Sequence, residues 1–141
     1  MMKKIILAGA MAMFTLPAFA EKLIINVENI ETDKGVIKLA IFDRVNADNF
    51  RKGEYKVAGG TKQAKVGVVK FEYDLPKGEY AAVAYHDING DGELNKVPIV
   101  GLPTEPYGFS NDARGAFGPA SFNEAMFEID KDTVEISFDV Q

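Results

Sequence analysis

The single histidine of the chain opens the run His86-Asp87-Ile88-Asn89-Gly90-Asp91-Gly92-Glu93-Leu94-Asn95, in which oxygen-bearing side chains fall at alternate positions. Hard cations such as Ca²⁺ gather about six to eight oxygens, and alternate side chains can converge on one centre where glycine permits a sharp turn. Asp87, Asn89 and Asp91 would supply side-chain oxygens, Glu93 a backbone carbonyl and Asn95 a further ligand, with Leu94 anchoring the loop to the core. The spacing departs from an EF-hand loop where that loop has its bidentate glutamate, a position held here by Pro98, and the segment before it has strand character. A complete site therefore needs a carboxylate from elsewhere, with Asp43, Glu105 and Asp112 as candidates. Asn-Gly and Asp-Gly are also strong turn formers, so spacing alone leaves a metal loop and a plain turn both open.

His86 beside Asp87 is a candidate acid–base pair, and a small hydrolase using His86 with a nearby carboxylate is the enzymatic alternative. No second histidine completes a zinc site, and no serine sits in a nucleophile-elbow setting. We therefore assign no catalytic residue and expect the ring to hydrogen-bond loop backbone, holding the following segment in place. A second group of candidates lies in the glycine-rich stretch 101–122: Tyr107, Phe109, Asn111, Arg114 and Phe117, with His86 at the start of the same excursion. Aromatic rings interleaved with Asn and Arg are the mixture that glycan or protein ligands use. The competing expectation is that Tyr107, Phe109, Phe117 and Phe122 plug the open end of the fold, with Arg114 paired to an acid such as Asp112.

The elements that must position these residues show period-two alternation, the signature of half-buried strands. Leu23, Ile25 and Val27 share one face, and after Thr32-Asp33-Lys34-Gly35 a β-rich run from Val36 to Phe42 predicts a hairpin. The period is lost between Asp43 and Gly60, which predicts a loop with at most one helical turn. A strand follows from about Ala64 to Tyr73 with Val66, Val68 and Phe71 packing, then a turn at Pro76 to Gly78, then an apolar strand from Tyr80 to Tyr85. Asp87 to Ser121 forms one long ordered loop. Strands near Ala125 to Ile129 and Val134 to Val140 close the chain, the last with Glu135, Ser137 and Asp139 on a wet face. About seven short strands without a convincing amphipathic helix predict an all-β, antiparallel, immunoglobulin-like or transthyretin-like sandwich.

Composition bounds partners and compartment. Lys3 and Lys4, the apolar run from Ile5 to Leu16 and the pattern Ala18-Phe19-Ala20 predict a cleavable signal peptide over 1–20, leaving a single domain over 21–141. The product is then periplasmic or secreted, with no membrane insertion after cleavage. A formal net charge of −5 argues against nucleic acid and suits a divalent cation. The chain has no cysteine, which excludes disulfide staples, thiol catalysis and a thiol-linked lipid anchor. We expect a monomer, with Ca²⁺ as the candidate ion and a glycan or envelope protein as candidate partner.

The runs Leu75-Pro76-Lys77-Gly78-Glu79-Tyr80-Ala81, His86 to Leu94 and Gly101-Leu102-Pro103-Thr104-Glu105-Pro106-Tyr107-Gly108-Phe109-Ser110-Asn111 together resemble the bacterial exported proteins grouped as the DUF2141 family. The resemblance implies a secreted or periplasmic β-sandwich, similar to transthyretin-like and carboxypeptidase-regulatory modules, with no established activity and no catalytic residues to transfer. Its His-Asp-x-Asn-x-Asn/Asp-Gly signature falls on His86, Asp87, Asn89, Asp91 and Gly92.

Overall fold

Alternation of apolar residues decides which face of each strand is buried, and two sheets meet on those faces. The computed structural model describes residues 20–91, 105–115 and 118–141. Among them eight strands form: β1 (Glu21–Ile30), β2 (Val36–Asp43), β3 (Ala58–Gln63), β4 (Gly67–Leu75), β5 (Gly78–Asp87), β6 (Tyr107–Phe109), β7 (Phe127–Ile129) and β8 (Thr133–Asp139). The three-stranded sheet has the order β4-β1-β8 and the five-stranded sheet β3-β2-β5-β6, with β7 also on β5. Strands β6 and β7 divide one edge of β5 between them, pairing Val83 to Tyr85 and Gly78 to Tyr80 respectively.

Leu23, Ile25 and Val27 of β1, with Phe71 of β4 and Phe138 of β8, meet Ile37, Leu39 and Ile41 of β2 across the sandwich. Each such side chain, fully buried, contributes about 1.5–3 kcal/mol. The far face of the five-stranded sheet is also covered. Phe42 and Ala81 pack there with Phe50, Phe109 and Phe122, the Phe42 and Phe50 rings edge to face at 5.3 Å. Burial on both faces explains why Tyr80-Ala81-Ala82-Val83-Ala84 is an unbroken apolar run and not an alternating one. Phe122 belongs to a one-turn helix, α1 (Phe122–Ala125), whose start is closed by a reciprocal capping box between Ser121 and Glu124.

The all-β sandwich matches the expectation, with four differences of detail. Eight strands form where about seven are expected, because β3 begins inside the predicted 43–60 loop and the short β6 lies inside the predicted 87–121 loop. The β3 sequence Ala58-Gly59-Gly60-Thr61-Lys62-Gln63 has no buried residue, so it lacks the apolar signal of a core strand. The first two strands do not make a hairpin: β1 lies between β4 and β8, while β2 crosses to the other sheet. Alternation cannot tell partners within a sheet from partners across the sandwich. In β4, Val66 and Val68, expected to pack, are 68% and 48% exposed, while Phe71 is buried as expected and Val69 with it. The ladder slips by one extra residue on β1, between Val27 and Ile30, while β4 itself alternates without a break, its buried phase being that of Val69 and Phe71 and not that of Val66 and Val68. Finally, β1 and β8 run parallel from Lys22↔Thr133 to Glu28↔Asp139, so the sandwich is not wholly antiparallel. Among the described residues no helix is long and apolar enough to cross a membrane. The predicted signal segment up to Phe19, and residues 92–104 of the long loop, lie outside the described residues.

Candidate metal centre

Register places the first two acids. Strand β6 pairs with β5 as Val83↔Phe109, Ala84↔Gly108 and Tyr85↔Tyr107, and the His86 N–H continues the ladder by donating to the Pro106 carbonyl at 2.8 Å. The same register sets Glu105 directly opposite Asp87. Because the neighbouring pair His86–Pro106 carries the hydrogen bond, Asp87 and Glu105 occupy the adjacent non-hydrogen-bonded position, where facing side chains come closest. Both are withdrawn from water, Asp87 to 1% and Glu105 to 7% exposure. Like charges directly opposite each other oppose pairing.

The third acid arrives through the turn that follows β5. Gly90 adopts φ +69°, and the Asn89 side chain accepts from the Asp91 N–H at 3.2 Å while its amide donates to Asp91 Oδ2 at 3.2 Å. Asn89 thus orients Asp91. One carboxylate oxygen each from Asp87, Asp91 and Glu105 lies within 4.8 Å of the other two. Oxygens on opposite sides of a Ca²⁺ ion stand about 4.6–5.2 Å apart, twice the usual ligand distance, so the three fit within one coordination sphere. Glu105 Oε2 also accepts from the Ile88 N–H at 2.7 Å, which fixes its direction.

Of the three outside acids considered from sequence, Glu105 is the one brought here. Asp43 accepts from the Asn46 N–H and caps the 3₁₀ turn Arg44–Asn49, and Asp112 Oδ1 accepts from the Asp139 N–H at 2.8 Å. Glu93 and Asn95, the remaining predicted donors, lie outside the described residues.

His86 points the other way. Alternation along β5 puts it on the interior face opposite Ile37, 1% exposed, with Nε2 donating to the Lys34 carbonyl at 2.6 Å. Since a carbonyl only accepts, Nε2 carries the proton. The bond ties the β1–β2 turn to the root of the acid loop. Gly35 of that turn, at φ +70°, lies so close that a Cβ there would stand 2.0 Å from the Asp87 carbonyl oxygen and 2.7 Å from that of Ile88.

The aromatic candidates divide. Phe109, read from sequence as ligand-facing, is buried with its ring 5.8 Å from Phe50, because β6 turns it onto the covered face of the sheet. Asn111 donates to the Met126 carbonyl at 2.7 Å and so braces α1. Tyr107 is half-buried, packs edge to face on Phe109, and carries the Arg114 guanidinium 5.3 Å from its ring centre, so Arg114 stacks on a ring instead of pairing with Asp112. Phe117 lies outside the described residues. Sequence reasoning passed over Ser110, fully buried, which accepts from the Ala82 N–H and donates to the Ala125 carbonyl to join β5 to α1. No local signal marks it, since both partners are distant in the chain.

No curated protein and no solved structure matches the chain. A family model described as an uncharacterized protein conserved in bacteria (DUF2141) matches residues 25–137, a span that takes in both sheets and all three converging carboxylates. The chain belongs to the DUF2141 family.

Proposed function

We propose that this chain is an exported, non-enzymatic module of the bacterial envelope whose β-sandwich holds one hard divalent cation, Ca²⁺, through Asp87, Asp91 and Glu105. The observation that carries the reading is the convergence itself: a buried cross-strand pair of acids joined by a third from the adjoining turn. An all-oxygen donor set selects Ca²⁺ or Mg²⁺ over thiolate- and imidazole-seeking metals, and donors on a turn suit the adaptable sphere of Ca²⁺ better than the strict octahedron of Mg²⁺. The Lys3-Lys4 and Ala18-Phe19-Ala20 pattern supports export to a compartment where free Ca²⁺ is abundant. The burial of His86 and its bond to Lys34 favour a holding role for the ring over the hydrolase alternative.

In a cysteine-free domain the ion would add to stability by mass action, about 1–2 kcal/mol at a few-fold to tenfold-plus excess over a dissociation constant in the tenth-millimolar range. The test is calorimetric titration of the chain from Glu21 onward with Ca²⁺, paired with thermal melts in Ca²⁺ and in EDTA. One-site heat and a rise of roughly 4–8 °C are expected, both lost in Asp91→Ala and Glu105→Gln. Superimposable melts and no heat in the unmodified protein would refute it.

A further inference from the structure

On the opposite side of the sandwich, among the described residues, the sheets end in two open edges, that of β3 in the larger sheet and that of β4 in the smaller. Between them runs a groove of about 410 Å³, with Gly59, Gly60, Thr61 and Lys62 on one wall and Phe71 and Tyr73 on the other. Lys62 bridges it, its Nζ donating to the Lys70 carbonyl at 2.6 Å and lying 5.4 Å from the Phe71 ring centre. That bond closes the β4 edge at its middle and leaves β3 as the accessible one.

The register fixes what β3 offers. Ala64 N–H donates to the Gly35 carbonyl, and in the same ladder Lys62 pairs with Ile37 and Gly60 with Leu39. In an antiparallel ladder the alternate residues, Gly59, Thr61 and Gln63, then direct their N–H and C=O away from β2, toward the open side. Two glycines leave this backbone bare of side chains. Edges of this kind accept an added strand, main-chain bonds giving affinity and alternate side chains giving specificity.

Charge says which strand. The chain carries 21 acidic against 16 basic residues, yet residues 55–71 hold Lys56, Lys62, Lys65 and Lys70 and no acid. All four lysines are exposed, and Glu72 at the groove rim already faces Lys22 at 3.9 Å. The basic edge of an acidic protein repels a second copy of itself in an edge-to-edge pair and attracts an extended anionic segment. An unpaired, alternating backbone selects a polypeptide over other polyanions, since only a strand can answer N–H with C=O at the β repeat. We propose that β3 is a docking edge for an extended acidic peptide segment of a partner protein, which joins the five-stranded sheet beside Gly59, Thr61 and Gln63 and is held by the surrounding lysines.

The probe is a capped eight-residue peptide alternating Glu with Val, added to the isotopically labelled chain from Glu21 onward and followed by amide chemical shifts and fluorescence anisotropy. Saturable shifts centred on Gly59, Thr61 and Gln63 are expected, weakening about tenfold when salt is raised from low to several times physiological strength. Thr61→Pro, which removes an outward N–H without breaking the ladder to β2, and the charge reversal Lys56→Glu with Lys65→Glu should each cost about tenfold or more in affinity at unchanged melting temperature. If Thr61→Pro does not fold, a peptide N-methylated at alternate residues takes its place on the ligand side. Equal binding of the N-methylated peptide or of inorganic polyphosphate would overturn the proposal in favour of a plain anion surface. Concentration-dependent self-association that blocks the peptide would assign the edge to a second copy, and no shift at all would leave the lysines as guards against aggregation.

Discussion

Replacing Gly35 with Ala tests how the β1–β2 turn supports the acid loop, and Gly90→Ala provides its internal standard. The two glycines have nearly the same backbone, φ +70° and +69°, so an added Cβ meets the same left-handed penalty at both, roughly 1–2 kcal/mol. They differ in their surroundings. At Gly90 an added Cβ would meet no atom within 4 Å among the described residues beyond its chain neighbours, whereas at Gly35 it would stand 2.0 Å from the Asp87 carbonyl oxygen and 2.7 Å from the Ile88 oxygen. A carbon–oxygen contact needs more than 3 Å, so the turn must lift by about 1 Å, a displacement in the range that costs roughly 1–3 kcal/mol in overpacked sites. Lifting also stretches the bond from His86 to the Lys34 carbonyl, worth about 1 kcal/mol. Gly35→Ala should therefore be less stable than Gly90→Ala by about 2–4 kcal/mol in urea unfolding, with the slope of the transition unchanged. Equal losses in the two variants would mean that the turn does not press on the loop, and the account of His86 and Gly35 as its supports would fall.

Two further outcomes test the packing and the titrating groups. Phe109→Ala should lose about 3–5 kcal/mol, as expected for a ring buried among Phe50 and its neighbours, where a ligand-facing ring would lose under 1 kcal/mol; denaturant unfolding distinguishes them. Burial, and then the nearby Asp43, push the Tyr80 hydroxyl above its ordinary value, and burial does the same for Tyr73. A phenol that holds its proton more tightly when folded adds stability that is complete below its unfolded value near 10 and is lost as pH climbs through the folded value. Stability should therefore fall on the alkaline side, and Tyr80→Phe, which also removes the bond to the Pro76 carbonyl, should flatten that limb; an unchanged alkaline limb would exclude the effect.

Strands whose one face meets the core were readable from alternation: Leu23, Ile25 and Val27, and again Val134 and Phe138, are all buried as their spacing predicts. What alternation does not encode is the partner. The pairs β1·β4, β1·β8 and β2·β5 are all set by which apolar faces close the sandwich, and the connection through Thr32 to Gly35 serves an inter-sheet crossing as well as it would a hairpin. Local irregularities escape for a related reason. In Val66-Gly67-Val68-Val69 the nearest two valines favour one phase, and the choice falls instead to the larger residue further on, Phe71, which is buried with Val69. Strand β3 carries no apolar signal because its role is at an edge.

The acid cluster divides along the same line, and the division bears on its chemistry. Asp87 and Asp91 are separated by three residues, so their approach follows from turn geometry and was visible in the spacing. Glu105 is placed by β6 pairing on β5, and β6 in turn is held by Gly108, where a Cβ would stand 1.8 Å from the Asp139 carbonyl oxygen, and by the reciprocal bonds between Tyr107 and Gln141. The third carboxylate therefore depends on β8 and the residues just after it, far from the acid loop in sequence. A site assembled this way is complete only in the folded protein, so an ion bridging Glu105 to Asp87 and Asp91, as proposed, would distinguish the native state from every partly folded one. Binding of that kind stabilises the native state alone, with no matching affinity in the unfolded chain to offset it. A turn-only site made of Asp87, Asn89 and Asp91 would lack this selectivity, because those donors remain neighbours in the unfolded chain.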